Sequence, residues 1–229
     1  RNVPGYTAFL TPREQVLTGR MLPGLKLFFW GGQPDAERKI CCWLPDYLDE
    51  EWLESEEGPI AALRAIYHPK DHLTHRDFLG SLMGCGVKRD TIGDIYVGNG
   101  SCDILVTSEL VPYVLDNLVS AGRTKVRCEP ISFSQLSLPE RSVRQIKDTV
   151  SSLRLDNIVG AGFGLSRGKA HELISGGKVS INDLPCMKPD KILTEGDKVS
   201  SRGYGKAVLV YVGGRTKKDR IPVVIERYL

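Results

Sequence analysis

The 229-residue sequence predicts an α+β protein in three parts. A small N-terminal α/β unit is expected over 1–58 and a ferredoxin-like domain of β-α-β-β-α-β order over 59–132. A linker at 133–152 leads to a C-terminal domain, 153–229, that closes with a β-hairpin. Three observations support this division. Strand-like and helix-like hydrophobic periods alternate through the middle of the chain. The stretch "SFSQLSLPERSVRQIKDTVSS", Ser132 to Ser152, interrupts them with polar, Ser-rich sequence and a proline. Beyond it the charge changes sign: positions 153–229 carry 14 Lys+Arg against 8 Asp+Glu, whereas the first 152 residues carry 17 against 20. A basic end on an acidic remainder suits a polyanionic partner.

In the first part, "TPREQ" places Thr11 as N-cap, Pro12 at the first helical position and Glu14 at the third, the signature of a capping box. "LKLFFWGG" and "RKICCWLP" read as two strands of a hairpin around "GGQPDAE". "PDYLDEEWLESEEG" holds seven acids between Asp46 and Glu57 and reads as a solvated loop or surface helix.

From Ile60 the elements follow closely. "IAALRAIYH" is a strand candidate, and "THRDFLGSLMGCG" a helix capped by Thr74 and stopped by glycine. "DIYVG" and "CDILVTS" are strands joined by the turn "NGS", "ELVPYVLDNLVSAG" is a helix, and "KVRCEPI" a strand. This is the order of the ferredoxin-like fold, shared with the RNA-recognition motif. That motif stacks bases on aromatic residues of its sheet, yet the third strand here reads Cys102-Asp103-Ile104-Leu105-Val106. Base stacking on this sheet is not expected. Of the polar segment that follows, the first half reads as linker, and the second as either strand or short helix.

The C-terminal part contains "GLSRGKAHELISGGKVSIN", Gly164 to Asn182. Ser166 is a natural N-cap, Ala170, Leu173 and Ile174 recur at helical spacing, Gly176 and Gly177 stop the helix, and "KVSIN" alternates as a strand. Arg167 and Lys169 fall in the first turn, where the helix macrodipole disfavours cations. A phosphate bound to that turn would reverse the local field.

Composition excludes several classes. With 41% hydrophobic and 26% charged residues and no apolar run of membrane-spanning length, the chain reads as globular, with no membrane partner. "RNVPGYTAFL" lacks the charged start and apolar core of a signal peptide, and the absence of an initial methionine suggests trimming. The six cysteines include no C-x-x-C pair, so neither a metal site nor a disulfide framework is expected, and a reduced cytoplasmic setting fits.

Catalytic motifs fail one by one. "HRD" at His75-Arg76-Asp77 lacks the metal-binding asparagine of a kinase loop, since position 82 is Leu82. His68, His72 and His75 have no carboxylate or cysteine pattern to complete a zinc site. "GAGFG" at Gly160 to Gly164 has Leu165 where a dinucleotide loop needs its third glycine. "RLD", Arg154 to Asp156, also occurs in pseudouridine synthases around a nucleophilic aspartate, but the large catalytic domain of those enzymes is not evident. Asp156 is expected to cap a helix. No cofactor and no catalytic residue is expected.

From Leu153 onward the pieces form a series: Arg154-Leu155-Asp156, Ser166-Arg167, Ala170, Leu173-Ile174, Gly177, Val179, Ile181-Asn182, Lys188-Pro189, Gly196-Asp197 and Arg202-Gly203. Over about fifty residues this resembles the S4 RNA-binding domain, with Asn182-Asp183 where that family usually has an Asn-Gly turn. "YTAFLTPREQ", "GGQPDAERK", "LTHRDFLGSLMGCGVKRDTIGDI" and "GGRTKKDRIPVVIERYL" extend the resemblance to the YlmH family, bacterial S4-domain proteins encoded near cell-division genes. The resemblance implies a ribosome-associated, non-catalytic RNA-binding protein. It also implies contact with structured rRNA or tRNA and the large subunit, in rescue of obstructed translation. Its RNA contacts would come from Arg154, Ser166, Arg167, Lys169, His171, Lys178, Asn182, Lys188 and Arg202, with Arg154 and Lys178 adding to one basic face. The tail loop "GGRTKKDR" supplies a second candidate in Arg215, Lys217, Lys218 and Arg220. Two other classes remain open: an RNA-modifying enzyme with a site near His75, Arg76 and Asp77, and a division scaffold using the acidic segment.

Overall fold

The computed structural model describes residues 3–55, 57–140 and 142–228. The chain divides after Pro139 into two compact units.

In the first unit, β1 (Gly5–Tyr6) is followed by α1 (Pro12–Met21), whose capping box forms as expected: the Thr11 N–H and hydroxyl both donate to the Glu14 carboxylate at 2.7 Å. The expected hairpin is present as β2 (Phe28–Trp30) and β3 (Ile40–Trp43), and β1 completes an antiparallel sheet of order β1-β3-β2. The acidic run folds into a short 3-10 turn that buries Leu53, while Glu56 lies outside the described residues.

The next elements are β4 (Ile60–Ile66), α2 (His75–Gly84), β5 (Ile92–Val97), β6 (Ser101–Thr107) and α3 (Val111–Asn117). The expected longer second helix stops at Asn117. Leu118 there turns into the core, and Gly122, with φ 57, reverses the chain in a two-stranded ribbon of β7 (Ser120–Ala121) and β8 (Thr124–Lys125). Finally β9 (Arg127–Ile131) completes an antiparallel sheet of order β5-β6-β4-β9, the ferredoxin-like topology.

Strand alternation divides this sheet between two cores. Leu63, Ala65, Ile104 and Val106 face α2 and α3, packing on Phe78, Leu82 and Val114. Ala62 and Leu105 face the other way and share a core with Phe9, Ile40 and Cys42. The expected boundary near residue 58 therefore falls inside one packed unit. Arg38 fastens the two layers, donating from Nε to the Ile92 carbonyl at 2.9 Å and from Nη2 to those of Phe9 and Arg89. The sheet face that an RNA-recognition motif leaves open is thus covered by protein, in keeping with its lack of aromatic platforms.

The segment expected as a linker, 133–152, takes part in both units. Phe133 packs edge-on against Trp30, with ring centroids 5.9 Å apart. The Ser137 N–H donates to Asp103, which is 1% exposed and paired with Arg64 at 2.7 Å. Its other end forms β10 (Val143–Val150), whose polar sequence hides it because only Val150 is fully buried.

The second unit continues with α4 (Leu155–Phe163), α5 (Arg167–Ser175), β11 (Val179–Ile181), β12 (Leu184–Pro185), β13 (Lys198–Ser201), β14 (Gly205–Val212) and β15 (Ile221–Tyr228). The strands form one antiparallel sheet, β10-β15-β14-β13-β11-β12. The expected closing hairpin is β14 and β15, and β10 pairs with β15 along eight residues. Val179, Val199, Ala207, Leu209, Val223 and Ile225 point inward onto Ile158, Val159, Ala170, Leu173 and Ile174. Gly164, with φ 66, ends α4, and Asn182 and Asp183, with φ 47 and 66, form the two-residue turn between β11 and β12.

Candidate RNA-binding faces of the C-terminal unit

Asp156 organises the helix end of this unit. It lies in the first turn of α4 and is 1% exposed. Arg154 Nε and Nη2 donate to its two oxygens at 3.1 Å each, a bidentate pairing, and the Asn157 N–H adds a third bond at 3.0 Å. Arg167 Nε approaches the same carboxylate at 3.5 Å from the start of α5. Burial alone would raise the Asp156 pKa, but the hydrogen bonds and charge of Arg154, with the charge of Arg167, hold it below the usual carboxylate range. The expected helix cap is corrected here. Arg154 occupies the N-cap position, and Asp156 is the buried counter-ion of two arginines.

The two helix starts differ in what they leave open. At α4, the Leu155 and Asp156 N–H groups donate to the Lys191 and Pro189 carbonyls, so the loop carrying exposed Lys188 closes that end. At α5, the Ser166 hydroxyl accepts from the Lys169 N–H at 3.3 Å, and the Arg167 and Gly168 N–H groups precede the first intrahelical bond. Ser166 is thus a cap, as its sequence position predicts. Lys169 is paired with Glu172 at 3.0 Å, and exposed His171 has Nδ1 3.5 Å from the Ser175 hydroxyl.

The tail loop reaches the same end through Arg220. Its guanidinium bonds the hydroxyl and carbonyl of Thr149, and it lines a groove of about 330 Å³ with Arg167, Asn157, Asp148 and Asp156. Two cations and two carboxylates balance there. Arg215 pairs with Asp219 at 2.6 Å, and Lys217 and Lys218 lie exposed at the tip of the hairpin.

Lys178, expected to add to the same basic face as Arg154, lies with Arg202 in another groove. They line a separate groove of about 670 Å³ with Lys206, Ser180, Ser200 and Ser201, and the two grooves share no residue. Asn182 is committed within the fold: its amide donates to Asp197 at 2.7 Å and its carbonyl accepts from the Lys198 N–H at 2.9 Å. Ser180, Ser200 and Lys206 are not among the expected contacts, although alternation in "KVSIN" and "KVSSRGYGK" turns those positions away from Val179, Val199 and Ala207.

His75, Arg76 and Asp77 form the first turn of α2. Asp77 is engaged in the capping box of α2, accepting from the Thr74 N–H and hydroxyl at 2.8 and 2.7 Å, and those bonds lower its pKa. Among the described residues there is no cluster of His, Cys, Asp or Glu that could hold a metal ion. All six cysteines are free thiols, and burial pushes Cys42 up to about 12, so it behaves as a core group. Among the described residues no helix is long and apolar enough to cross a membrane.

Comparison with known proteins agrees with this architecture. Residues 60–135 match the family model described as "Putative RNA-binding domain in YlmH", and residues 153–199 match the S4 domain. The chain is 38% identical over 226 residues to the ribosome-associated protein quality control protein P2 of Bacillus subtilis, covering 96% of this chain and 86% of that protein. The chain belongs to the YlmH family. A solved structure described as cell division protein ylmH from Streptococcus pneumoniae is 25% identical, with a TM-score of 0.50 over 60% of this chain and 84% of that one. In this YlmH-family chain, the first family match coincides with the ferredoxin-like sheet, and the S4 match covers α4, α5 and the strands to Val199. The two matched domains point to RNA binding, and the Bacillus subtilis relative is named as ribosome-associated.

Proposed function

We propose that this protein is a non-catalytic, cytoplasmic RNA-binding factor that holds structured rRNA or tRNA on the large ribosomal subunit during rescue of obstructed translation. The observation that carries the RNA contact is the buried Asp156 carboxylate, which fixes Arg154 and Arg167 side by side. The side chain of Arg167 remains 70% exposed, next to the uncommitted N–H groups of α5. A phosphate seated on that turn would meet two backbone donors and a preorganised guanidinium, with Lys169 on the same turn. This arrangement suits backbone and 2′-hydroxyl recognition of folded RNA. The ribosomal setting is supported by the name of the Bacillus subtilis relative.

Arg167→Ala with Lys169→Ala should weaken binding to ribosomal RNA markedly and reduce the salt dependence by about two phosphate contacts. Wild-type affinity and salt slope in that variant would remove the helix assignment. Modified nucleosides lost with Asp77→Asn would establish an enzyme instead.

A further inference from the structure

We propose that the groove beside the start of α5 holds one unpaired guanine base of the bound RNA. This rests on the helix-end reading above and adds to it groups that read the base.

The groove joins three parts of the unit. Asp148 and Thr149 come from the end of β10, Asn157 and Ala161 from α4, and Arg167 from the start of α5, while Arg220 immediately precedes β15. Its volume of about 330 Å³ lies near the lower end of the range of small-ligand clefts. That suits a single base and not an RNA helix.

Two carboxylates in the lining disfavour a phosphate inside the groove. One of them, Asp156, is fully engaged by Arg154, Arg167 and the Asn157 N–H. Asp148 is not. It is exposed, and its Oδ1 accepts from the Thr149 N–H at 2.7 Å. Among the described residues its Oδ2 has no hydrogen bond and the carboxylate has no ion pair. Arg220 is held in place by Nε and Nη2, which bond the hydroxyl and carbonyl of Thr149, and its Nη1 has no partner among the described residues. An acid and a guanidinium thus line one groove without closing on each other.

Those two groups select the base. Guanine presents adjacent donors, N1–H and the N2 amino group, on its Watson–Crick edge, with acceptors at O6 and N7. A carboxylate accepts from both donors at once, and an arginine donates to O6 or N7. Adenine, cytosine and uracil each offer a single donor group on that edge. In folded RNA the edge is open only where the base is unpaired. Arg167 lines the groove and also belongs to the first turn of α5, so one nucleotide can seat its phosphate on that turn and its base in the groove.

The test is fluorescence anisotropy of the full-length chain with short oligouridines carrying one central guanine, adenine or inosine. Guanine should bind about tenfold more tightly than adenine. That ratio should stay constant as salt rises, while both affinities fall. Inosine, which lacks the N2 amino group, should lie between them. Asp148→Asn keeps an oxygen for the Thr149 N–H, so the fold is retained, and it should bring guanine down to the affinity of adenine. Equal affinity for guanine and adenine in the wild type, with binding lost in Arg167→Ala with Lys169→Ala, overturns the base site and keeps the helix-end phosphate contact. A guanine preference that survives Asp148→Asn, or that inosine matches, places the base elsewhere and overturns the site as well. Oligonucleotide binding unaffected by the Arg167 and Lys169 substitutions overturns both readings. Absence of binding to all three overturns the base site, and titration with ribosomal RNA then decides the phosphate contact by itself.

Discussion

Replacing Asp156 by asparagine isolates the group on which the helix end depends. The substitution keeps an oxygen for the Asn157 N–H but removes the charge that Arg154 and Arg167 share. Breaking a fully buried pair costs ~3–5 kcal/mol, because the survivor stays buried. Here the survivors can turn to water, since their side chains are 34% and 70% exposed. The cost should therefore fall to about 1–2 kcal/mol, carried mainly by lost charge-assisted hydrogen bonds. For a unit of this size, that lowers the thermal midpoint of the C-terminal transition by ~5–15 °C.

The pH dependence supplies the check. The folded-state pKa of Asp156 is depressed, so its stabilisation is complete above the unfolded carboxylate value of about 3.9 and lost as pH falls through the folded one. Calorimetry of wild type and Asp156→Asn should show a constant gap from neutrality to about pH 5 that closes below about pH 4. A gap of under a degree at pH 7, or one that persists unchanged at the acid end, would refute the assignment of Asp156 as a paired carboxylate.

Two further substitutions test the first unit. Arg64→Met leaves Asp103 buried with the Ser137 N–H as a remaining donor, so the unit should lose ~3–5 kcal/mol by chemical denaturation. Its 132–137 segment should also become sensitive to protease; unchanged stability and digestion would contradict that role. Gly93→Ala places a Cβ 2.7 Å from the Phe9 ring and 2.9 Å from Leu105, and overpacking of this kind should cost ~1–3 kcal/mol. A variant as stable as wild type would show that the two sheets are not pressed together at this point.

The fold is legible wherever an element buries enough apolar surface to mark its faces. "IAALRAI" and "CDILVT" declare themselves as strands because both their faces enter cores, and "THRDFLGSLMG" because Phe78 and Leu82 follow a cap. The strand Val143–Val150 is obscured for the opposite reason: at the sheet edge it needs little apolar surface, and its register comes from hydrogen bonds to β15. The shared core of the first two parts is also hidden, because Ala62 and Leu105 carry no mark of which layer will cover them. At the candidate sites, sequence places Arg154, Ser166 and Arg167 correctly on the helix ends. It does not separate Lys178 and Arg202 from them, since that separation depends on which way strands β11 and β13 face.

The cations at the start of α5 can now be weighed without a ligand. Two positive side chains in a first turn cost ~0.3–1 kcal/mol each against the macrodipole. Arg167, however, leans onto a carboxylate that belongs to the first turn of α4, where an acid is favoured. The charge that is wrong for one helix is the counter-ion of a charge that is right for the other. Because the Arg167 side chain is largely exposed, the pair is worth only ~0–1 kcal/mol, enough to offset that cost. Lys169 is treated likewise by Glu172 within its own helix. Misplaced charge alone therefore does not argue for bound phosphate. Preorganisation is what favours an anion there: a buried acid fixes the direction of Arg167 while leaving its outer donors exposed, beside backbone N–H groups that α5 does not use. Arg167→Lys keeps the charge but loses the fork, and should weaken binding to ribosomal RNA. Wild-type affinity in that variant would mean that the turn acts only as a surface of positive charge.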